Sequence, residues 1–371
     1  MKNKTLISGI IIAVCACAPA FASCGGGHTH SGNQLGRNDE QHWKMCDDCR
    51  GYYDEEAHDT ADGACSVCGF VTNYTKGLEL TYLYEGGYAV TGLGSADAEQ
   101  IIIPSYYENE PVLAIASGAF ANITKLTGVA IPDTVTRIDD RVFEGCTALE
   151  SVAFGARVEQ LGNAVFKNCG ALKQIVLPQG ITLIGDHLFE GCSALKSVTV
   201  PDSVEKIGFQ SFIFCEALEE VKISENSALR AVEDSAFYDC RKLTSFYFPQ
   251  GFQEIGESAF NGCFSLDNIV LPDSLLEVNG FYDCTSLTSV KLGNATQTIG
   301  DGAFSGCVSL LEIYIPASLQ VIERFAFAKC DGLDDIYFAG TSADWDAVEK
   351  GEFWSEREEG APTLHFNAVR N

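Results

Sequence analysis

The sequence predicts a right-handed, β-rich solenoid of about ten leucine-rich turns, built on a parallel sheet and capped at both ends. Three observations carry this: a 23-residue period, residue columns in fixed register, and a strand-and-corner pattern within each period. The period is read from Phe120, Phe143, Phe166, Phe189, Phe212, Phe237, Phe260, Phe281, Phe304 and Phe327. Their gaps are 23, 23, 23, 23, 25, 23, 21, 23 and 23. Three residues after each Phe from Phe143 onward stands a cysteine, from Cys146 to Cys330, and the first turn has Ile123 there. Three residues further on runs an unbroken column of Leu, from Leu126 to Leu333. Self-similarity in fixed register marks stacked units that share one core, not a string of globular domains.

One turn shows the role of each position. In Leu195–Gly208, Val198-Thr199-Val200 alternates in and out as a short strand must. Pro201 ends the strand because proline has no N–H for a ladder. Gly208 suits a tight corner, and the Phe and Cys that follow turn inward on a bend or short helical turn. A single turn cannot bury its apolar face; stacked turns bury a continuous core, with strands ~4.8 Å apart. The 25- and 21-residue turns fit as two extra residues near Asn226-Ser227 and two missing before Phe281. Gly155, Ser224, Gly293 and Ala339 replace the strand-ending Pro in four turns.

Nine cysteines in an exported chain suggest disulfides. In-register side chains point the same way, however, and an odd number cannot all pair. The column is therefore expected to consist of buried free thiols acting as small apolar residues.

Composition narrows the function classes. Among 371 residues the apolar share is 46%, too high for a disordered chain, and the formal charge is −27. That charge repels phosphate backbones, so nucleic acid is not an expected partner, and it repels anionic membranes too. Membrane attachment is expected from the N-terminus alone. Lys2 and Lys4 precede an apolar run, Leu6 to Ala18, in the pattern of a secretory signal. Ala20-Phe21-Ala22 offers an ordinary cleavage site. Phe21-Ala22-Ser23-Cys24 resembles a bacterial lipobox, with Cys24 as the lipidated first residue and Phe in place of the usual Leu. The expected organisation is a signal peptide over 1–23 and a linker with a small four-cysteine module over 24–71. An entry cap over 72–116, the array over 117–338 and an exit cap over 339–371 follow.

Within the module, Cys46-x-x-Cys49 and Cys65-x-x-Cys68 are separated by fifteen residues. Two such knuckles fit four thiolates around a tetrahedral, structural zinc. The alternatives are two disulfides, the usual staple outside the cytoplasm, and redox chemistry. The stretch "HWKMCDDC…H…CSVCGF" resembles small zinc-ribbon-like modules that precede repeats in bacterial surface proteins.

The repeats "LKSVTVPDSVEKIGFQSFIFC" and "LTSVKLGNATQTIGDGAFSGC" resemble the BspA-like leucine-rich-repeat family. The segment around Gly86-Gly87, a hairpin-turn pair, is similar to the entry of such arrays. "FAGTSADWDAVEKGEFW…APTLHF" is similar to their closing segment, in which Trp345 would cover the last turn. The resemblance implies an extracytoplasmic surface protein, lipid-anchored or secreted, that binds an extracellular protein or glycan. It specifies a scaffold and not a ligand. Motifs for nucleophilic, metalloprotease, phosphate or dinucleotide chemistry are missing from the sequence, so no enzyme is expected. The alternatives are an extracytoplasmic solute-binding lipoprotein, which would need a concave apolar pocket, and, behind it, a carbohydrate-active enzyme, which would show clustered carboxylates in a cleft.

A binding face is expected on the outward residue of each strand. These residues run from Ala130 and Ala153 through Val176, Thr199 and Lys222 to Tyr247, Val270, Lys291, Tyr314 and Tyr337. The second half carries three tyrosines, which offer rigid area with a polar tip. Tyr247, Tyr314 and Tyr337, edged by Glu312 and Asp335, form the candidate ligand surface. Metal analysis of the purified chain is expected to find one zinc per chain, lost on Cys46→Ser. A chain without zinc that yields no titratable thiols from these four positions would indicate disulfides instead.

Overall fold

The computed structural model describes residues 74–357 and 360–368, together with the backbone of short strands between Ala22 and Ala57. Cys24, Cys46, Cys49, Cys65 and Cys68 lie outside the described residues. Residues 75–104 and 111–371 form one compact unit, and residues 1–74 with 105–110 form another. The larger unit is the solenoid.

Most turns lay down two short strands, one in a front and one in a back row of parallel ladders, and the solenoid has about eleven turns with almost no helix. The front strands are the expected ones, such as Ser197–Thr199, paired in register with Gln174–Val176 and Glu220–Lys222. The back strands are two residues long, such as Lys206–Ile207, in register with Leu183–Ile184 and Ala231–Val232. This second sheet is absent from the sequence reading, because a two-residue strand with one inward residue has no alternation to detect. Register is exact from turn to turn because every turn buries the same positions, and a one-residue slip would expose them all.

The stacked Phe column is the centre of the core. The ten rings from Phe120 to Phe327 are fully buried. Consecutive rings lie nearly parallel, with centroids from 5.7 Å (Phe120–Phe143) down to 5.0 Å (Phe212–Phe237). Inward Val, Ile and Leu from both sheets and the Leu column complete the cluster.

The corner between back strand and Phe is a bend with two left-handed residues per turn, not a helical turn. One precedes the Phe by two residues, as at Arg141, Ala164, His187 and Gln210, and one follows by two, as at Asn168, Gly191 and Phe214. Gly208 has a different job. A Cβ there would sit 2.6 Å from Asp186 Oδ1 and 2.9 Å from the Ile184 carbonyl of the preceding turn, so glycine permits close stacking. Side-chain ladders reinforce the bend: Asp140, Asn163 and Asp186 each accept, through Oδ1, the backbone N–H of the equivalent residue one turn later.

Both ends continue the two sheets. At the entry, Glu79–Tyr82 and Tyr88–Gly92 form an antiparallel hairpin turned by Gly86 (φ +90°) and Gly87 (φ +78°), as expected. At the exit, Glu349–Lys350 extends the back sheet and Thr363–Phe366 the front sheet. A short helix just before them in the chain, Ser342–Ala347, is capped by Thr341, whose hydroxyl accepts from the Asp344 N–H while Asp344 accepts from the Thr341 N–H. Trp345 is buried edge-on against Phe338 at 5.2 Å, whereas the last Phe ring is covered by Trp354, at 6.2 Å from Phe327. Arg357 donates to the carbonyls of Asp331 and Leu333 in the last turn.

The front sheet is interrupted twice inside the array, between Ser151–Ala153 and Gln174–Val176 and again between Glu220–Lys222 and Asn268–Val270. Ser245–Phe248 occupies a front-strand position without forming a ladder. Its first inward residue is Phe246, where the other turns carry Val or Ile. That ring packs on Phe237 at 5.3 Å and Phe260 at 5.0 Å.

Two stability predictions follow from this packing. Phe189→Ala should cost ~3–5 kcal/mol in urea unfolding through the cavity left between its neighbours. Ser211 places a fully buried hydroxyl with no hydrogen-bond partner where most turns have an aliphatic residue. Ser211→Ala should therefore leave stability unchanged or raise it by about 1 kcal/mol.

Candidate functional site

The nine repeat cysteines carry the array's most intrinsically nucleophilic side chains, and their geometry withdraws them from chemistry. All are buried free thiols. Each Sγ donates to the carbonyl of the Phe in the preceding turn, from Cys146 to Phe120 at 3.1 Å through Cys330 to Phe304 at 3.0 Å. Cysteine is thus a small apolar residue that also supplies one donor between turns. Burial pushes the Cys146 thiol up to about 11 and raises the other eight as well. A thiol held protonated is a poor nucleophile.

The outward face divides into three parts. Ala130 and Ala153 are small and half-buried, while Val176 and Thr199 are exposed. Tyr314 and Tyr337 occupy register-matched positions in the last front strands, and their rings stack with centroids 4.6 Å apart and planes within 8°. His365 extends the stack at 4.6 Å from Tyr337, in register on the final strand. Asp335 and His365 Nε2 share a 2.6 Å hydrogen bond, and the Tyr314 hydroxyl donates to Glu312 at 3.3 Å. Glu312 also accepts from Ser289 at 3.3 Å. Four of the five expected residues therefore sit together, joined by His365. That histidine lies in the exit cap, 28 residues beyond Tyr337 instead of 23, so the repeat register does not reveal it.

Tyr247 stands apart, separated by the turns of Val270 and Lys291. It lies at the second interruption of the front sheet and lines an open groove with Gln179, Thr199, Glu220, Lys222 and Ser245. A second open groove runs along the back sheet, lined by Arg137, Asp139, Glu159 and Leu183 among others. Neither is the enclosed apolar pocket that a solute-binding protein requires. Among the described residues no cluster of three or more His, Cys, Asp or Glu is placed to hold a metal, and no helix is long and apolar enough to cross a membrane.

A model of the BspA type leucine-rich repeat region matches residues 113–230 and 230–346, in six copies, which is more than half of the chain. The chain belongs to the BspA-type leucine-rich-repeat family. The family and fold are those of repeat scaffolds and not of an enzyme class. No curated protein matches the sequence. Solved structures similar to the chain include a leucine-rich cell surface protein from Faecalibacterium prausnitzii, at 22% identity over 75% of this chain and 97% of that one, with a TM-score of 0.48. A leucine-rich repeat protein from Bacteroides ovatus shares 22% identity over 80% and 99% of the two chains, with a TM-score of 0.44. The pneumococcal vaccine antigen PcpA shares 16% identity over 80% and 87%, with a TM-score of 0.42.

The thiol column predicts an alkaline instability. At neutral pH both folded and unfolded chains hold these protons, so the thiols add no pH dependence. Above roughly pH 8.5 the unfolded chain releases them first, and stability falls as pH rises, by up to ~1.4 kcal/mol per pH unit for each thiol that stays protonated. Urea unfolding at pH 7.0 and pH 9.5 checks this, and equal stabilities would contradict it.

Proposed function

We propose that the chain is an exported bacterial surface protein, anchored by lipid at Cys24, whose array displays a recognition face to an extracellular protein or glycan. The observation that carries this reading is the Tyr314–Tyr337–His365 stack with Glu312 and Asp335 beside it, held on the most continuous stretch of front sheet. The five strands from Asn268–Val270 to Thr363–Phe366 are paired in one parallel sheet, so these side chains are positioned before any partner arrives. Pre-ordered side chains lose little entropy on binding. Because the rings cover one another's faces, the stack offers edges and hydroxyls flanked by carboxylates, which suits hydrogen bonding to a protein surface. The cell-surface description of the Faecalibacterium protein is consistent with the proposed location.

Two measurements test the reading. Expressed in a bacterial host, the chain should incorporate a labelled fatty acid and partition with membranes, and Cys24→Ala should abolish both. On an immobilised extracellular-matrix preparation, the Tyr314→Ser/Tyr337→Ser double variant should bind at least tenfold more weakly than the parent with little change in melting temperature. Equal binding by parent and variant would remove this face from the proposal.

A further inference from the structure

We infer that the groove beside Ser245–Phe248, at the second interruption of the front sheet, is a binding site for a neutral saccharide, with Tyr247 as its stacking face. The Tyr247 ring differs from the other two outward tyrosines in what covers it. Tyr314 and Tyr337 stack on each other, and Tyr337 also on His365. Tyr247 is 45% exposed and, among the described residues, has no ring stacked on it, no cation over it and no hydrogen bond to its hydroxyl. Its ring is open to a ligand that presents weakly positive C–H groups, as one face of a pyranose does, because the aromatic face carries negative quadrupolar charge.

The backbone supplies a second, independent observation. The flanking front strands exchange parallel ladder bonds with their neighbours, Glu220–Lys222 on one side and Asn268–Val270 on the other. Ser245–Phe248, between them, makes no backbone ladder bond among the described residues. Strand-position N–H and C=O groups in mid-sheet are thereby left for solvent or ligand, and main-chain polar groups rarely stay without a partner. Sugar hydroxyls both donate and accept, so they match such mixed groups. Thr199, Ser245 and Gln179 add hydroxyl and amide groups along the same groove.

Charge narrows the ligand class. Lys222 and Glu220 pair at 3.4 Å, and Asp202 at the groove wall accepts from Ser224 at 2.6 Å. Two carboxylates against one ammonium leave the groove with a single net negative charge, which disfavours an anionic ligand, while the exposed Lys222–Glu220 pair and the hydrogen-bonded Asp202 form no concentrated charge to select a cation. Depth agrees as well, since an open groove admits an extended chain of sugars and not a single enclosed solute.

The site is separate from the aromatic stack of the last turns, and the experiment keeps the two apart. The full chain, Tyr247→Ala, Tyr247→Phe and Tyr314→Ser/Tyr337→Ser are applied to a glycan array carrying neutral, sialylated and sulfated oligosaccharides. The parent should bind a subset of neutral glycans. Tyr247→Ala should lower that binding at least tenfold while its melting temperature stays within a few degrees, and Tyr247→Phe, which keeps the ring, should bind within about threefold of the parent. The double variant should bind glycans as the parent does. Absence of binding to any array glycan, binding confined to charged glycans, or an unaffected Tyr247→Ala would each overturn the inference. A loss confined to the double variant would move glycan binding to the last turns, overturning this site while leaving the recognition scaffold intact.

Discussion

Register between turns is the constraint on which the rest of the molecule depends. One ring per turn, from Phe120 to Phe327, lies on the next at 5.0–5.7 Å, close to the strand spacing. That match lets the ladder bonds, the Phe stack and the thiol-to-carbonyl bonds all be satisfied by one repeat distance. Elements that seem unrelated then have a common cause. Gly208 keeps its place because a Cβ would push apart the turns on either side, and left-handed residues such as Ala164 and Phe214 are tolerated because the bend must return the chain within 23 residues. Departures from the repeat are absorbed at corners, as in the 25-residue turn, or appear as a break in the sheet at Ser245–Phe248.

The same constraint separates stability from recognition. Side chains that point inward are dictated by stacking and say little about a partner. Outward residues escape that dictation, but an in-register sheet still aligns them into columns, so neighbouring aromatics stack whether or not a ligand exists. The Tyr314–Tyr337 pair is therefore partly a stabilising contact, of the kind worth ~0.5–1.5 kcal/mol. Where the sheet is interrupted at Ser245–Phe248, the alignment lapses, and Tyr247 keeps an uncovered ring beside backbone groups without ladder partners. Irregularity in this architecture is where surface chemistry has room to differ from turn to turn.

Most of the fold was legible because its information is repeated. Ten Phe positions, nine Cys positions and a Leu column determine the period, the inward face and the front strands without further data. The hairpin at Gly86-Gly87 and the covering role of an exit tryptophan were legible from local chemistry, although it is Trp354 that meets Phe327 and Trp345 that meets Phe338. The back sheet was not, because Lys206–Ile207 and its equivalents are too short to show a period. The candidate face was half legible. Residue type placed Tyr247, Tyr314 and Tyr337 together, but only the structure shows which ring faces are covered. The place of His365 on that face was not legible, because the exit cap inserts the Ser342–Ala347 helix and shifts the spacing.

Turns hold one another through the in-register Phe column. A double-mutant cycle on the closest pair, Phe212→Leu and Phe237→Leu, measured by equilibrium urea unfolding, tests this most directly. A coupling energy of ~0.5–1.5 kcal/mol is expected between the two positions, and none between Phe120 and Phe327 at opposite ends of the column. Strictly additive effects at Phe212 and Phe237 would contradict this.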